Sequence, residues 1–421
     1  MECGTIIRDV EIKELVFEGA GFARLDNGAA VFVPYSAVGD VLTIEVTAVH
    51  KNFYNAVIRK IQQPGEGRCE PACPFFGRCG GCSYQHIDYA HEVQAKRAQF
   101  ATIMRRIGHF EEFPELELFY EAPKRFGYRN KLKLEPLAEK GKFSKRPYLD
   151  YGFCGLDNRE FFAVPKCLLA MDAINDTIAK AARGEWGAQN AKRREPYPLT
   201  LRADSQGNCA FFFGFASSRL PWLHERLWDK EVLVPVGSFW QVNPEVASAL
   251  LEHVRGWLEP IGARTFVDAY AGVGTFSLAL GDLFRNRVII ESDAQAVNAS
   301  RKNHEMLGLQ ASFVSGKTEE ALGQVLSKTD SRDTVVLLDP PRTGCHPHVL
   351  KALQEFKPET IVYVSCNPTT LARDLEKLCA DGAYKPLRCA VFDMFPATAH
   401  FESAVLLKKT KKRPISNNNP S

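Results

Sequence analysis

The chain has 421 residues, room for roughly two to four domains, and its 45% hydrophobic and 24% charged residues are ordinary globular composition. A formal net charge of +3 is too small for global attraction to a polyanion, so a nucleic-acid role must rest on local patches. No apolar run reaches about 18 residues, which excludes a helical membrane span, and Met1–Val10 has no basic segment leading into an apolar one, so no export signal is expected.

Residues 1–62 read as a small β domain. Phe22-Ala-Arg-Leu, Ala30-Val-Phe-Val-Pro and Val41 to Val49 are β-rich runs, punctuated by Gly19, Gly21, Gly28 and Gly39. About five short strands in this length suggest an OB-like barrel. Lys51, Phe53, Tyr54, Arg59 and Lys60 mix basic and aromatic groups, as base stacking and phosphate contact require.

Residues 63–230 form a second region, opened by the linker Gln63-Pro-Gly-Glu-Gly-Arg68. The chain holds 12 cysteines, and without an export signal these point to metal, cluster or catalytic use rather than to disulfides. Cys73, Cys79 and Cys82 have five and two residues between them on a Gly-rich backbone, which lets thiolates wrap a soft metal centre. A fourth ligand is needed. Cys69 is local and Cys167, in Val164-Pro-Lys-Cys167, is remote; zinc and iron–sulfur both remain open on spacing.

A helical pattern follows from Asp88 to Ile107, with Gln94, Lys96, Arg97, Gln99, Arg105 and Arg106 on its polar positions and Gly108 ending it. Lys124, Arg125, Arg129, Lys131, Lys133, Lys140, Lys142, Lys145 and Arg146 then face only Glu135 and Glu139, with Phe126, Tyr128 and Phe143 interleaved. That combination suits single-stranded RNA. Residues 147 to about 230 alternate short β runs, such as Cys209 to Phe215, with a helix-like stretch from Leu168 to Arg183.

Residues 231–410 alternate strand and helix, a doubly wound α/β pattern. Thr265–Asp268, Arg287–Glu291, Thr334–Leu338 and Thr360–Ser365 read as strands, with Ser403–Lys408 closing the sheet. Ala271-Gly272-Val273-Gly274 is a glycine turn opening a helix from Thr275 to Leu283, and Glu291 follows about 20 residues on, a nucleoside-binding arrangement. The third glycine of a dinucleotide fingerprint is absent, which argues against a pyrophosphate ligand and for S-adenosylmethionine. The run Thr360 to Ser365 delivers Cys366 to a strand end, where Pro368 stops the ladder; a thiolate there could be a nucleophile. Residues 411–421 read as a disordered basic tail.

These residues resemble the RNA (uracil-5-)-methyltransferases of the 23S rRNA type, which carry an N-terminal TRAM domain and a [4Fe-4S] cluster. The matching motifs are the Cys73, Cys79 and Cys82 set; Tyr128-Arg129-Asn130-Lys131; Phe239-Trp240-Gln241-Val242-Asn243-Pro244; Asp268 to Gly274; Asp339-Pro-Pro-Arg342; Ser365-Cys366-Asn367-Pro368; and Asp393-Met394-Phe395-Pro396 leading to His400-Phe401-Glu402-Ser403. The resemblance spans nearly the whole chain. It departs at Ala271, where the family often has cysteine, and at Trp240.

The resemblance implies a Rossmann-like S-adenosylmethionine-dependent domain, an OB-like TRAM barrel at the N-terminus and a central α+β domain holding the iron–sulfur cluster. It implies Cys366 as nucleophile and Glu402 as base. Gln241, Tyr270, Glu291 and Asp339 would contact S-adenosylmethionine, and Cys73, Cys79, Cys82 and Cys167 would hold the cluster. The partner would be 23S rRNA, with tRNA as the alternative, in a cytoplasmic protein with no membrane attachment. An exocyclic-amine methyltransferase fits less well, because that chemistry wants an aromatic after Asp339-Pro-Pro and this chain has Arg342. A methylthio-transferring radical enzyme needs three and two residues between its cysteines. A non-catalytic RNA-binding iron–sulfur protein would have no need of Cys366 and Glu402.

Overall fold

The computed structural model describes residues 1–137, 151–156, 160–182, 197–216 and 220–410. Lys140, Lys142, Phe143, Lys145 and Arg146 of the basic stretch, Arg183, and the 411–421 tail lie outside the described residues. The chain forms two compact units, one of residues 1–102, 119–249 and 392–402, the other of residues 103–118, 250–391 and 403 onward.

In the first unit, β1 (Ile6–Glu11), β2 (Glu14–Leu15), β3 (Gly21–Arg24), β4 (Ala30–Val33), β5 (Val41–Val49) and β6 (Phe53–Gln63) make one sheet in the order β1-β5-β6-β4-β3-β2. Alternation decides which face is buried: Leu42, Ile44 and Val46 of β5 are buried, and Leu42 and Ile44 pack with Val10, Val31, Val33 and Ala56. The two N-terminal strands were not legible, since Ile6–Glu11 carries three charges among its six residues.

Helix α1 (Tyr89–Arg106) matches the expected span within a residue at each end. Its expected polar face is corrected at two positions. Lys96 is fully buried and Gln99 nearly so. Gln99 Nε2 donates to the Leu15 and Val16 carbonyls at 3.0 and 3.1 Å and to Tyr84 Oη at 2.7 Å, so the helix packs on the side that sequence assigns to solvent. Strand β7 (Leu116–Tyr120) follows.

Strands β8 (Lys131–Pro136), β9 (Tyr151–Cys154) and β10 (Phe161–Phe162) precede helix α2 (Asp172–Ala182), then come β11 (Leu199–Ala203) and β12 (Cys209–Phe213). The sheet order is β10-β9-β8-β11-β12. Leu132, Leu134, Leu199 and Leu201 pack with Ile174 and Ile178 of α2. Strands β13 (Trp222–Leu227) and β14 (Lys230–Pro235) form a separate hairpin, and α3 (Pro244–Leu258) follows.

The basic stretch is turned inward more than expected. Arg125 donates to the Tyr84 and Ile87 carbonyls at 2.8 and 2.7 Å. Lys131 is half-buried, and burial, then the charge of Arg202, lowers its pKa. Lys133 pairs with Glu135 at 2.8 Å and Lys124 pairs with Glu245. Only Arg125 and Lys131 of this set are turned inward; Lys124 and Lys133 stay exposed in surface pairs.

The second unit contains β15 (Thr265–Ala269), α4 (Thr275–Leu280), β16 (Asn286–Glu291), α5 (Ala294–Met306), β17 (Ser312–Ser315), α6 (Thr318–Leu326), β18 (Thr334–Leu338), α7 (Pro347–Phe356), β19 (Thr360–Ser365), α8 (Pro368–Cys379), β20 (Tyr384–Phe392) and β21 (Glu402–Lys409). The sheet order is β17-β16-β15-β18-β19-β21-β20-β7. β15, β18 and β19 are buried at every residue, as a parallel sheet covered on both faces requires. The expectation that Ser403–Lys408 closes the sheet is corrected: β21 lies antiparallel to β19 inside the sheet, and β20 and β7 continue beyond it. Lys385, Pro386 and Arg388 break the apolar run of β20, so it does not read as a buried strand. Among the described residues no helix is long and apolar enough to cross a membrane.

Candidate active site

Four neighbouring parallel strands end side by side, in the order β16, β15, β18, β19. Their carboxyl ends carry Glu291, Tyr270, Asp339 and Cys366 in that order. With strands about 4.8 Å apart, the row spans roughly 14 Å, the scale of a nucleoside plus a small group. Ligands of open α/β sheets bind at this edge.

The backbone between β15 and α4 is built for close approach. Gly272 and Gly274 have φ of 57° and 89°, and Tyr270, which is not glycine, has φ of 68°. A Cβ on Gly274 would lie 2.6 Å from Ser300 Oγ, so the position admits only glycine. Glu291 closes this turn: its Oε2 accepts from Gly272 N at 2.8 Å, and its Oε1 accepts from Ser292 N and Asp293 N at 2.6 and 2.7 Å. The carboxylate is therefore fixed by the backbone before any ligand arrives, a constraint that spacing did not foretell.

Asp268, whose environment the sequence did not foretell, is fully buried beneath this turn, and Ser277 N donates to its Oδ2 at 3.0 Å. Burial pushes its pKa from 3.8 up to about 7, against the opposing hydrogen bonds of Ser277. Burial, and then the charge of Asp268, raises Asp339 as well. A carboxyl that is harder to ionise when folded stabilises most below its ordinary pKa, and that contribution is lost as pH rises through the folded value. Asp268→Asn is therefore expected to lose less stability than the parent between pH about 4 and 7, read from melting temperatures across that range. Parallel curves would contradict it.

The loop after β19 is tightly held. Asn367 caps α8, accepting from Thr369 N at 3.1 Å, with Pro368 in the first turn. Asn367 Nδ2 donates to the Arg342 carbonyl at 3.0 Å, which ties this loop to Asp339-Pro-Pro-Arg342. Cys366 sits one residue before the cap, half-buried, where the N-terminus of a 12-residue helix favours negative charge. Tyr270 lies at a cavity of about 390 Å³ with Pro341, Cys345, His346 and Arg373.

Gln241 and Glu402 belong to the first unit. Gln241 is buried; its carbonyl accepts from Asn130 Nδ2 at 2.9 Å, and Asn130 N donates to the Val242 carbonyl at 3.0 Å. The Tyr128–Lys131 and Phe239–Pro244 motifs are thus bonded to one another. Glu402 is buried and opens β21; Phe401 before it meets the rings of Phe17 and Phe100 edge-on at 6.0 and 6.5 Å. Ser365 pairs with Ser403 in the β19–β21 ladder. Along the chain, Cys366 follows the one and Glu402 precedes the other.

Cys73, Cys79, Cys82 and Cys167 line one small cavity of about 50 Å³, walled by Phe75, Phe76 and Leu132, with Arg129 beside them. Cys69 is not among its walls; its thiol bonds the Gln85 carbonyl at 3.5 Å. Gln85 holds the loop, accepting from Cys73 N at 3.0 Å and donating to Cys82 Sγ at 3.2 Å. Burial pushes the Cys82 thiol up to about 12 and raises Cys79 and Cys167 too. Four soft donors against apolar walls fit a soft metal or cluster in chemistry. Among the described residues, however, no three His, Cys, Asp or Glu groups are drawn together closely enough to hold a metal ion.

Two family models match the chain. The TRAM domain model matches residues 6–58, and the tRNA (Uracil-5-)-methyltransferase model matches residues 229–410. An uncharacterized RNA methyltransferase of Synechocystis sp. is 32% identical, over 96% of this chain and 96% of the relative. One from Listeria monocytogenes is 30% identical, over 95% and 97% of the two chains. The crystal structure of Pyrococcus abyssi tRNA (uracil-54, C5)-methyltransferase in complex with S-adenosyl-L-homocysteine aligns with a TM-score of 0.67 and 25% identity, covering 95% of this chain and 100% of that one.

Proposed function

Because the chain belongs to the TRAM-containing RNA uracil-5-methyltransferase family, we propose that it transfers a methyl group from S-adenosylmethionine to C5 of a uridine in 23S rRNA. The observation that carries this reading is the row of Glu291, Tyr270, Asp339 and Cys366 along four adjacent strand ends, a cofactor edge that terminates in a thiol. In the proposed reaction, Glu291, Tyr270, Asp339 and Gln241 bind S-adenosylmethionine. C5 of uracil is a weak nucleophile. The Cys366 thiolate adds to C6, forming a C–S bond and pushing electron density onto C5. C5 then displaces the methyl from sulfur, releasing S-adenosylhomocysteine. The Glu402 carboxylate takes the C5 proton, and the C6–S bond breaks to restore the thiolate and the aromatic ring. A stacked base cannot reach such a strand end, so the uridine flips out of its helix.

Cys73, Cys79, Cys82 and Cys167 are proposed to hold a [4Fe-4S] cluster, which would cross-link the loop to the Val164–Cys167 turn. Their shared cavity supports that set, and the thiols would have to lose their protons to ligate iron. Transfer RNA is the second candidate substrate, favoured by the named substrate of the Pyrococcus abyssi enzyme. A cytoplasmic location follows from either RNA.

RNA carrying tritium at C5 of uridine tests this reaction. C5 methylation must expel that hydrogen, so one tritium is expected in water for each methyl transferred. Methyl transfer without tritium release would overturn it.

A further inference from the structure

The segment from Asp393 to Glu402 needs an external anchor. Between β20 and β21 it forms no strand or helix, and Ala397 takes φ of 63°, in the left-handed region that L side chains rarely adopt. Its polar groups converge on α1. Lys96 Nζ donates to Asp393 Oδ1 at 2.7 Å, to the Phe395 carbonyl at 3.3 Å and to Glu92 Oε1 at 2.7 Å. Glu92 Oε1 also accepts from Ala397 N at 2.7 Å, and Tyr89 Oη donates to Asp393 Oδ2 at 2.9 Å. The Ala397 carbonyl accepts from Ser83 N and Tyr84 N at 3.0 and 3.1 Å.

An ammonium has three protons, and here each has one acceptor. Lys96, Glu92 and Asp393 are all fully buried. Burial alone would lower the lysine's pKa, yet the two carboxylates reverse this and raise it. Well-packed apolar side chains would serve stability as well as such a buried triad. What the triad adds is one geometry, because an ammonium between two carboxylates and a carbonyl tolerates little displacement. The chain then runs from the Phe395 carbonyl, which also accepts from Thr398 N and Oγ1, to Glu402.

We infer that Lys96 is a positioning residue for Glu402: with Glu92 and Asp393 it fixes the segment that aims the carboxylate at C5. This rests on the proposed role of Glu402 as base.

The test follows covalent RNA–protein adduct and free 5-methyluridine over time in Lys96→Met and Asp393→Asn, with Glu402→Gln as control. Asp393→Asn keeps the shape and acceptor at that position, so it answers if Lys96→Met fails to fold. The expected result is a methylated adduct that accumulates because its release slows, on the order of 10²-fold, while adduct formation and S-adenosylmethionine binding hold. A purely structural role would lower adduct formation and release together, and that result, or unchanged release in Asp393→Asn, would overturn the inference. If Glu402→Gln itself traps no adduct, the base assignment has failed, and this inference falls with it. If Glu402→Gln traps adduct and the other two do not, the positioning role alone is refuted.

Discussion

Cys366→Ala is expected to abolish methylation of RNA, by a factor on the order of 10⁴ or more, because a covalent step cannot proceed without its nucleophile. S-adenosylmethionine affinity should be unchanged. The thiol stands at the far end of the row from Glu291, and its loop is held by Asn367, whose cap to Thr369 N and bond to the Arg342 carbonyl do not involve the sulfur. Methyl transfer from labelled cofactor and calorimetric binding measure the two properties separately. Turnover near the parent rate would remove the thiol-addition mechanism, leaving the cofactor edge intact.

Glu402→Gln should have the opposite signature: product formation falls by about 10²–10⁴, and RNA becomes covalently attached to the protein. Glutamine keeps the shape and hydrogen-bonding capacity of a side chain buried at the first residue of β21, so the fold is expected to survive. Thiol addition and methyl transfer precede proton removal, so the intermediate forms and then stalls. A denaturing gel displays it as protein shifted by the mass of the RNA. Slow turnover without an adduct would move the base elsewhere.

The parts of the fold that follow a single periodicity were legible. β5 and β19 begin and end where the β-rich runs do, and α1 lies within a residue of its pattern at each end. Cys366 could be found because an apolar strand ends against Pro368. Glu402 and Gln241 carry no such local signal, and only the resemblance named them. What was hidden shares one cause: side chains whose charge is satisfied inside the protein look like surface residues in a sequence. Lys96, Gln99 and Arg125 read as a solvated or RNA-facing set and are instead internal cross-links. Glu92 four residues before Lys96 was the available clue, an ion-pair spacing on one helix face. β7 lies far along the chain from β20, and no local pattern could pair them. Spacing left the fourth thiol open between Cys69 and Cys167; only the resemblance named Cys167, which lines one cavity with the other three.

The most direct measurement is nucleoside mass spectrometry of RNA treated with the purified protein and S-adenosylmethionine. Unmodified 23S rRNA and unmodified tRNA are treated separately, digested and compared with untreated controls. The account predicts 5-methyluridine in the 23S rRNA digest. 5-Methyluridine in the tRNA digest alone, a methylated nucleoside other than 5-methyluridine, or no methylation of either RNA by protein that binds the cofactor would contradict it.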